Sequence, residues 1–190
     1  MNVRQIQKEK TKEKIMGNAY YVYAKEGFTA TTEQIAKLSK VSHGTIFSHF
    51  SKKEDLIVEV INQFGEELTT KYHELSEETA SLEEMLHWHI DILIEYEDFY
   101  TNVIKEKDFL PKEVQLAILS MNTGAAHHFL QILEKNDVVE IESSFIFNSW
   151  MAILHYYLLN RELFAPEGSV LERYKEKIIK SFLMMIRKEN

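Results

Sequence analysis

The sequence predicts an all-α protein, and three observations lead to this expectation. Two prolines and six glycines in 190 residues leave few points at which helices must break. No stretch alternates apolar and polar residues for long enough to form a half-buried strand. Hydrophobic residues make up 45% of the chain, which suffices for a packed core and excludes disorder as the main state. We expect about nine helices, in a small N-terminal domain and a larger C-terminal one.

The first three helices have recognisable starts and ends. The first ends at Gly27, since glycine suits the C-terminal cap of a helix. The second begins at Thr31 or Thr32, with Gln34 at capping-box distance from Thr31. The third begins at Ser42. The first helix carries on one face Ile15, Ala19 and Val22.

A long fourth helix and five later helices follow. Ser51 and Glu54 form a capping box at the start of the fourth helix, which joins the two halves of the chain without a break. Asp137 and Glu140 mark a later start in the same way. The expected spans in the second half are 81–97, 98–107, 111–135, 137–164 and 169–187, the third opened by Pro111.

Cysteine usage and the lack of long apolar runs exclude several classes of protein. The chain has no cysteine, which excludes a disulfide scaffold, a thiol nucleophile and a sulfur-ligated metal site. Residues 1–14 are charged and lack the apolar core of a secretory signal. The longest near-apolar run, 150–159, is too short to span a membrane. We therefore expect a soluble cytoplasmic protein with no membrane partner and no cofactor.

Charge is distributed unevenly along the chain. Residues 1–53 contain ten Lys and Arg against four Glu, a net charge of +6, so residues 54–190 carry −14 of the total of −8. Such asymmetry is typical of a basic module that binds an anion and is attached to an acidic body. A solvated helix face is the alternative, because Lys and Glu alternate near the N-terminus. Charge alone leaves both interpretations open.

The second and third helices match a helix-turn-helix, since both are short and a turn of three to four residues joins them. We place this DNA-binding domain at residues 1–55, with the start of the connecting helix over 52–76, and a helical effector-binding and dimerisation domain at 56–190. The third helix exposes short polar side chains that can reach base edges in a major groove. These are Ser42, His43, Gly44, Thr45 and Ser48, with Lys40, Lys52 and Lys53 nearby for phosphates.

This N-terminal stretch resembles the TetR (tetracycline repressor) family of bacterial transcriptional regulators. The resemblance rests on Gly27-Phe28, the pair Ile35-Ala36, Val41-Ser42 at the end of the turn, Gly44-Thr45, Phe47-x-His49-Phe50, Lys53 and Leu56. It implies a repressor that binds a near-palindromic DNA operator as a homodimer. It also implies that the repressor leaves the operator when a small-molecule effector enters the C-terminal domain.

The resemblance also implies roles for individual residues. Thr32 would bond a phosphate, His43 and Thr45 would face bases, and Phe47, His49 and Lys53 would lie along the DNA backbone. Two positions depart from the family pattern. Lys40 stands where glycine is usual, which predicts either a strained turn or an added DNA-facing cation. Phe47 stands where tyrosine is usual, so a phosphate-directed hydroxyl is missing.

Base recognition has to be indirect in part, because the third helix has no Arg, Lys, Asn or Gln for bidentate contacts with a base. We expect readout by Thr45 and His43 through methyl, hydroxyl and water-mediated contacts, together with DNA shape. For Phe47 core packing is an equal alternative, and for His49 packing beside Phe50 is an alternative.

The last two long helices are apolar all round, so each must be buried on two sides. Core on one side and a partner subunit on the other would satisfy this, and the resemblance implies a four-helix dimer interface here. Burial in the centre of the domain is the alternative. The expected interface residues are Trp150, Leu154, Leu158, Tyr174, Ile178 and Phe182.

The C-terminal domain also supplies bulky, adaptable side chains for a pocket that takes an apolar or aromatic effector. The alternative for most of them is ordinary core packing. The candidate lining residues are Met85, Trp88, His89, Ile92, Phe99, Met121, His128, Phe129, Trp150 and His155.

Other functions have less support in the sequence. An enzyme is not expected, because the chain contains no nucleophile elbow, phosphate-binding Gly-rich loop or zincin motif. Glu84-x-x-His87 has the spacing of a di-metal helical bundle, but that site needs a second copy, which is missing. We predict no metal site. A metal-responsive regulator and a helical scaffold protein without DNA binding remain the alternatives.

Overall fold

The computed structural model describes residues 2–77, 81–136 and 138–187, with side chains throughout except those of residues 72–77. Regular structure in these ranges is helical, which confirms the predicted fold class. The helices are α1 Val3–Glu26, α2 Thr32–Ser39, α3 His43–His49, α4 Lys53–Glu77, α5 Leu82–Glu95, α6 Glu97–Glu106, α7 Lys112–Leu133, α8 Ser143–Leu159, α9 Arg161–Phe164 and α10 Val170–Ile186, with a 3₁₀ turn at Lys107–Phe109. No helix in the described part of the chain is both long and apolar enough to cross a membrane.

Most predicted helix starts are confirmed by their caps. The side chain of Thr31 accepts from the backbone N–H of Gln34, and that of Ser81 accepts from the N–H of Glu84, so both capping boxes form. The side chain of Ser169 accepts from the backbone N–H of Glu172 and thereby caps α10. The described residues hold ten helices rather than about nine, because Asn160 separates the short α9 from α8.

The predicted start of α8 is wrong. Asp137 lies outside the described residues, and the helix begins only at Ser143. The intervening backbone pairs elsewhere: the N–H of Val139 donates to the carbonyl of Ile186 at 2.8 Å, beside an isolated bridge between Val138 and Arg187. This segment therefore satisfies its backbone groups against the end of α10 instead of forming a helical turn.

The chain is organised in two compact units. The first consists of the described residues of Met1–Phe64 and Asp98–Leu119, and the second of those of Gly65–Glu97 and Ser120–Asn190. This division differs from the predicted single boundary after residue 55, because α6 and the start of α7 fold with the N-terminal helices. Helices α4 and α7 each contribute residues to both units.

An aromatic cluster explains why α6 belongs to the first unit. The ring of Phe99 lies 4.8 Å from Tyr20, 5.8 Å from Phe28 and 5.3 Å from Phe64, measured between centroids. Phe99 and Phe64 are almost completely buried. Burying a phenylalanine side chain contributes about 1.5–3 kcal/mol, so this cluster ties α6 firmly to α1 and α4.

Polar bonds hold the end of α1 as well. The side-chain amide of Asn102 donates to the carbonyls of Tyr23 and Ala24 at 2.8 and 2.9 Å. The N–H of Phe28 donates to the Glu106 carboxylate, at 3.1 Å for the nearer oxygen. Since the last carbonyls of a helix have no intrahelical donor, α6 supplies the partners that α1 lacks.

The second unit packs α5, α8 and α10 around buried aromatic side chains. Trp150 is fully buried and its ring centroid lies 4.9 Å from that of Phe182. Glu97, buried at the end of this unit's first segment, accepts from the N–H groups of Val170 and Leu171 at 3.0 and 3.3 Å and from the hydroxyl of Ser169. The carboxylate thereby compensates the positive end of the α10 dipole, which stabilises its burial.

Candidate nucleic-acid interface

The turn between α2 and α3 is closed by a left-handed residue. Lys40 has φ 55° and ψ 43°, and it is the one non-glycine residue with positive φ in the described ranges. The N–H of Val41 donates to the carbonyl of Ala36 at 3.1 Å, and the N–H of Lys40 donates to that of Lys37 at 3.2 Å. These two bonds form a Schellman-type end to α2. Lys40 therefore adopts the conformation for which glycine is preferred.

Buried apolar residues fix the crossing of α2 and α3. Ile35, Ala36 and Ile46 are buried, and Phe50 closes the same core at the end of α3. Ala36 presents only a methyl group, so the two helix backbones can approach closely. The result is a rigid base from which the opposite side of α3 is exposed.

The exposed side of α3 carries a chain of short hydrogen bonds. Ser42 caps the helix, accepting from the N–H of Thr45 at 3.1 Å, and the two hydroxyl oxygens lie 2.8 Å apart. The hydroxyl of Ser48 donates to the carbonyl of Thr45 at 2.7 Å. Ser42 and Ser48 are exposed and Thr45 is half-buried, so this face is polar, compact and open to a ligand.

His43 is held by two residues of α2. Its Nε2 lies 2.8 Å from the hydroxyl of Thr32 and 3.2 Å from a carboxylate oxygen of Glu33. Thr32 is buried, whereas the ring of His43 is exposed. The hydroxyl of Thr32, predicted to bond a phosphate, is thus already within hydrogen-bond distance of His43, which is predicted to face bases. This contact orients the imidazole in the absence of DNA.

Phe47 and His49 differ in exposure. Phe47 is 42% exposed, and its ring meets that of His43 edge-on at 4.9 Å, so it lies outside the core. His49 is half-buried beside Phe50, with 6.3 Å between ring centroids. Burial, with a smaller effect from Lys8, lowers the pKa of His49. Both rings border the exposed face of α3.

Several basic side chains near α3 are already bound within the protein. The ammonium of Lys53 donates to the carbonyl of Phe28 at 2.7 Å, and partial burial lowers its pKa. Lys52 is paired with Glu113, and Lys12 lies 3.0 Å from a carboxylate oxygen of Glu59. Lys53 therefore serves the fold at the end of α1, while Lys40 is exposed and forms no ion pair within the described residues.

The sequence does not predict a groove that lies beside α3. The start of α1 and the recognition helix α3 line a groove of about 670 Å³ whose walls include Arg4, Lys8, Thr45 and Ser48. The only signal in the sequence is the four-residue spacing of Arg4 and Lys8, which places them on one face of a helix. That spacing does not reveal which element the face adjoins.

The predicted effector-pocket residues do not all lie in one unit. Phe99 belongs to the aromatic cluster of the first unit, and the other nine lie in the second. Among these, the indole N–H of Trp150 donates to Nδ1 of His89 at 3.1 Å. Burial, with a smaller effect from His155, lowers the pKa of His89 to about 4, so its imidazole is neutral. Trp88 and His155 are half-buried, and the buried members are Met85, His89, Ile92, Met121, His128, Phe129 and Trp150.

The predicted dimer-interface residues face inward. Tyr174 is half-buried and contacts Tyr157, whereas five residues are buried inside the second unit and are not available to a partner, namely Trp150, Leu154, Leu158, Ile178 and Phe182. The large apolar residues left exposed on the same two helices are Phe145, Tyr156, Leu159, Met184 and Met185. Since both faces of these helices are apolar, their sequence could not tell the inner face from the outer one.

The geometry defines an all-helical protein in which a helix-turn-helix with an exposed polar recognition helix is joined to a second helical unit. Within the described ranges, no three potential metal ligands of the types His, Cys, Asp and Glu come together. Residues 15–60 match the family described as bacterial regulatory proteins, tetR family.

Comparison with known proteins agrees with this class. The HTH-type transcriptional regulator QacR from Staphylococcus aureus is 44% identical over 52 residues, which cover 27% of this chain and 28% of QacR. A solved TetR-family transcriptional regulator from Agrobacterium tumefaciens superposes with a TM-score of 0.80 at 17% identity, covering 95% of this chain and all of that one. The transcriptional regulator FadR from Bacillus subtilis, solved with stearoyl-CoA, gives 0.73 at 17% identity, covering 90% of this chain and 96% of FadR.

Over residues 15–60 the chain is therefore similar to the TetR family of bacterial regulatory proteins. The aligned stretch spans less than a third of QacR and lies over the helix-turn-helix, while the likeness to the solved structures extends the fold to nearly the whole chain.

Proposed function

We propose that the protein is a homodimeric transcriptional repressor that leaves a near-palindromic operator when a small apolar or aromatic effector binds the second unit. The observation that carries the DNA-binding part is the recognition helix α3. Its inner side is anchored by buried Ile46, and its outer side offers His43, Thr45 and Ser48 in an orientation held by hydrogen bonds. A preformed polar helix face of this kind fits the major groove.

Base readout is assigned to His43 and Thr45. Thr45 offers a hydroxyl and a methyl group, which suit a base-edge acceptor and the thymine methyl. His43 offers one ring nitrogen beyond the Nε2 that Thr32 and Glu33 hold. Neither residue makes a bidentate contact, so water bridges and DNA shape supply the remaining selectivity.

Operator selection tests this assignment. Duplexes are selected from a random-sequence pool with the wild-type protein, and binding to selected and unselected duplexes is compared by fluorescence anisotropy. We expect the double variant His43→Ala, Thr45→Ala to lose most of the preference for the selected sequence. The matched control is His127→Ala, Thr70→Ala, which changes the same residue types at exposed positions of the second unit. Undiminished selectivity in the first variant would refute the assignment.

The second unit is proposed to bind the effector. Its interior combines apolar and aromatic side chains with the buried imidazoles of His89 and His128, which suits an apolar ligand carrying a few polar atoms. FadR, which shares the fold, was solved with stearoyl-CoA, so acyl compounds belong in a test panel beside aromatic ones. Divalent metal ions form a third arm. A thermal shift caused only by metal would favour the metal-responsive alternative.

Release from DNA is proposed to be a population shift. Helices α4 and α7 supply residues to both units, so a rearrangement of the second unit is transmitted along continuous helices. An effector that favours one arrangement would change the spacing of the two reading heads, which must match successive major grooves. A compound that raises the melting temperature of the protein but leaves its DNA affinity unchanged would contradict this coupling.

Dimerisation is proposed to use the outer faces of α8 and α10. Phe145, Tyr156 and Leu159 share one face of α8 at helical spacing, and each is at least 45% exposed. Met184 and Met185 are exposed near the end of α10. Apolar stripes of this size are typical of subunit interfaces, where burial removes them from water.

A further inference from the structure

The groove between the start of α1 and α3 has two walls of different chemistry. The α3 wall carries Thr45, Ser48 and His49, two of which belong to the proposed DNA interface. The α1 wall carries only basic and neutral polar side chains, namely Asn2, Arg4, Gln5, Gln7, Lys8 and Thr11. These nine lining residues include no carboxylate, so an anion entering the groove meets hydrogen-bond donors from both helices.

The two cations on the α1 wall are uncompensated. Arg4 and Lys8 are exposed, and neither side chain forms an ion pair with the side chains described in residues 2–71, 81–136 and 138–187. By contrast Lys12, one turn further along the same face, is paired with Glu59 at 3.0 Å. The fold thus neutralises the cation that lies deeper in the first unit and leaves the two outer ones with their charge available.

The electrostatic field in the groove is positive from a second source. The first turn of α1 contains no acidic residue, and Asn2 caps it, so the positive end of a 24-residue helix is not offset by a carboxylate. The charge of Lys8 also reaches the α3 wall: burial is the main cause of the lowered pKa of His49, and Lys8 lowers it further, against an opposing effect of Glu9. Both effects favour an anion between the two helices.

We propose that this groove takes the sugar–phosphate backbone of the DNA strand next to the reading face of α3, with Arg4 and Lys8 each neutralising a phosphate. The proposal rests on the DNA-binding function proposed above, which it extends to an element outside the helix-turn-helix. Because phosphates carry no sequence information, this contact adds affinity for any duplex and fixes the position of α3 without reading bases.

Salt dependence of binding tests the proposal on the full chain. We compare wild type with Arg4→Gln, Lys8→Gln and with the control Lys10→Gln, Lys14→Gln, which removes two charges from the same helix at positions that do not line the groove. Kd is measured by anisotropy for a selected and a random-sequence duplex over a range of salt. Far-UV circular dichroism confirms that each variant keeps its helix content.

Loss of two phosphate contacts per head should flatten the log–log salt slope by about 1.8 per head, since each neutralised phosphate contributes about 0.9. We expect Arg4→Gln, Lys8→Gln to weaken binding to both duplexes by the same factor and to leave their ratio unchanged. We expect the control to keep the wild-type slope. Equal slopes for the two variants would overturn the proposal even where the wild type binds DNA. A wild type that binds no duplex would instead refute the DNA-binding function itself.

Discussion

Replacing Lys40 by glycine should stabilise the first unit. Lys40 is exposed and adopts φ 55°, ψ 43°, where the Cβ of an L-residue is crowded by its own backbone. That crowding costs roughly 1–2 kcal/mol. Glycine removes this cost, but its greater conformational freedom stabilises the unfolded chain by about 0.4–1 kcal/mol, which offsets part of the gain. The net expectation for Lys40→Gly is a free energy of unfolding higher by about 0.5–1 kcal/mol.

Lys40→Ala is the matched control, because it removes the same ammonium but keeps a Cβ. Urea unfolding at one protein concentration, with unchanged m-value, compares the variants on equal terms. We expect Lys40→Ala to be no more stable than wild type. The reasoning is refuted if Lys40→Gly and Lys40→Ala have the same stability, since the left-handed conformation would then carry no strain.

The same pair of variants separates the two predictions that the sequence leaves open at this position. If the ammonium contacts DNA, both variants bind a duplex more weakly and by a similar factor, although their stabilities differ. If the residue is only a strained turn, both retain wild-type DNA affinity. Stability and DNA affinity therefore report separately on the backbone and on the charge of Lys40.

Three further predictions follow from individual side chains. Lowering the pH from about 7 to about 5 should destabilise the wild type by about 2 kcal/mol more than it destabilises His89→Gln. The unfolded imidazole gains a proton below its ordinary pKa of 6.5, whereas the folded imidazole stays neutral down to about pH 4. Equal losses of stability for the two proteins in urea unfolding would contradict this prediction. Tyr23→Phe should raise the free energy of unfolding by about 1 kcal/mol, since the buried hydroxyl has no hydrogen-bond partner among the described residues. A clear loss of stability would argue for an essential partner. Tyr156→Arg should shift the protein from dimer to monomer in analytical ultracentrifugation. Tyr21→Arg is the matched control and should not, because Tyr21 is 56% exposed, as Tyr156 is 57% exposed, but lies outside α8 and α10.

Local features of this protein could be predicted from the sequence because each depends on neighbouring residues. Thr31 and Gln34 cap α2 within one turn, and Ser81 and Glu84 do the same for α5. Such patterns need no knowledge of distant parts of the chain.

Features that depend on distant partners could not be predicted in this way. The membership of α6 in the first unit follows from the contacts of Phe99, whose aromatic character alone is equally compatible with a pocket. Val139 follows a predicted helix start, yet its N–H pairs with the carbonyl of Ile186, 47 positions away. In both cases a contact between residues far apart in the sequence decides the structure, namely the burial of an aromatic ring for Phe99 and a backbone hydrogen bond for Val139.

Charge shows how tertiary structure changes the meaning of a sequence pattern. The net charge of +6 over residues 1–53 falls to +2 for the whole first unit, because residues 54–64 add −3 and residues 98–119 add −1. The acids also engage particular cations, as Glu59 does with Lys12 and Glu113 with Lys52. The net positive charge of the unit is therefore small, and its position on the surface depends on the cations that the fold leaves unpaired. Among these cations, Arg4 and Lys8 lie beside α3 and Lys40 lies at its start, so they add positive potential next to α3, where an electrostatic contact with DNA would orient the helix.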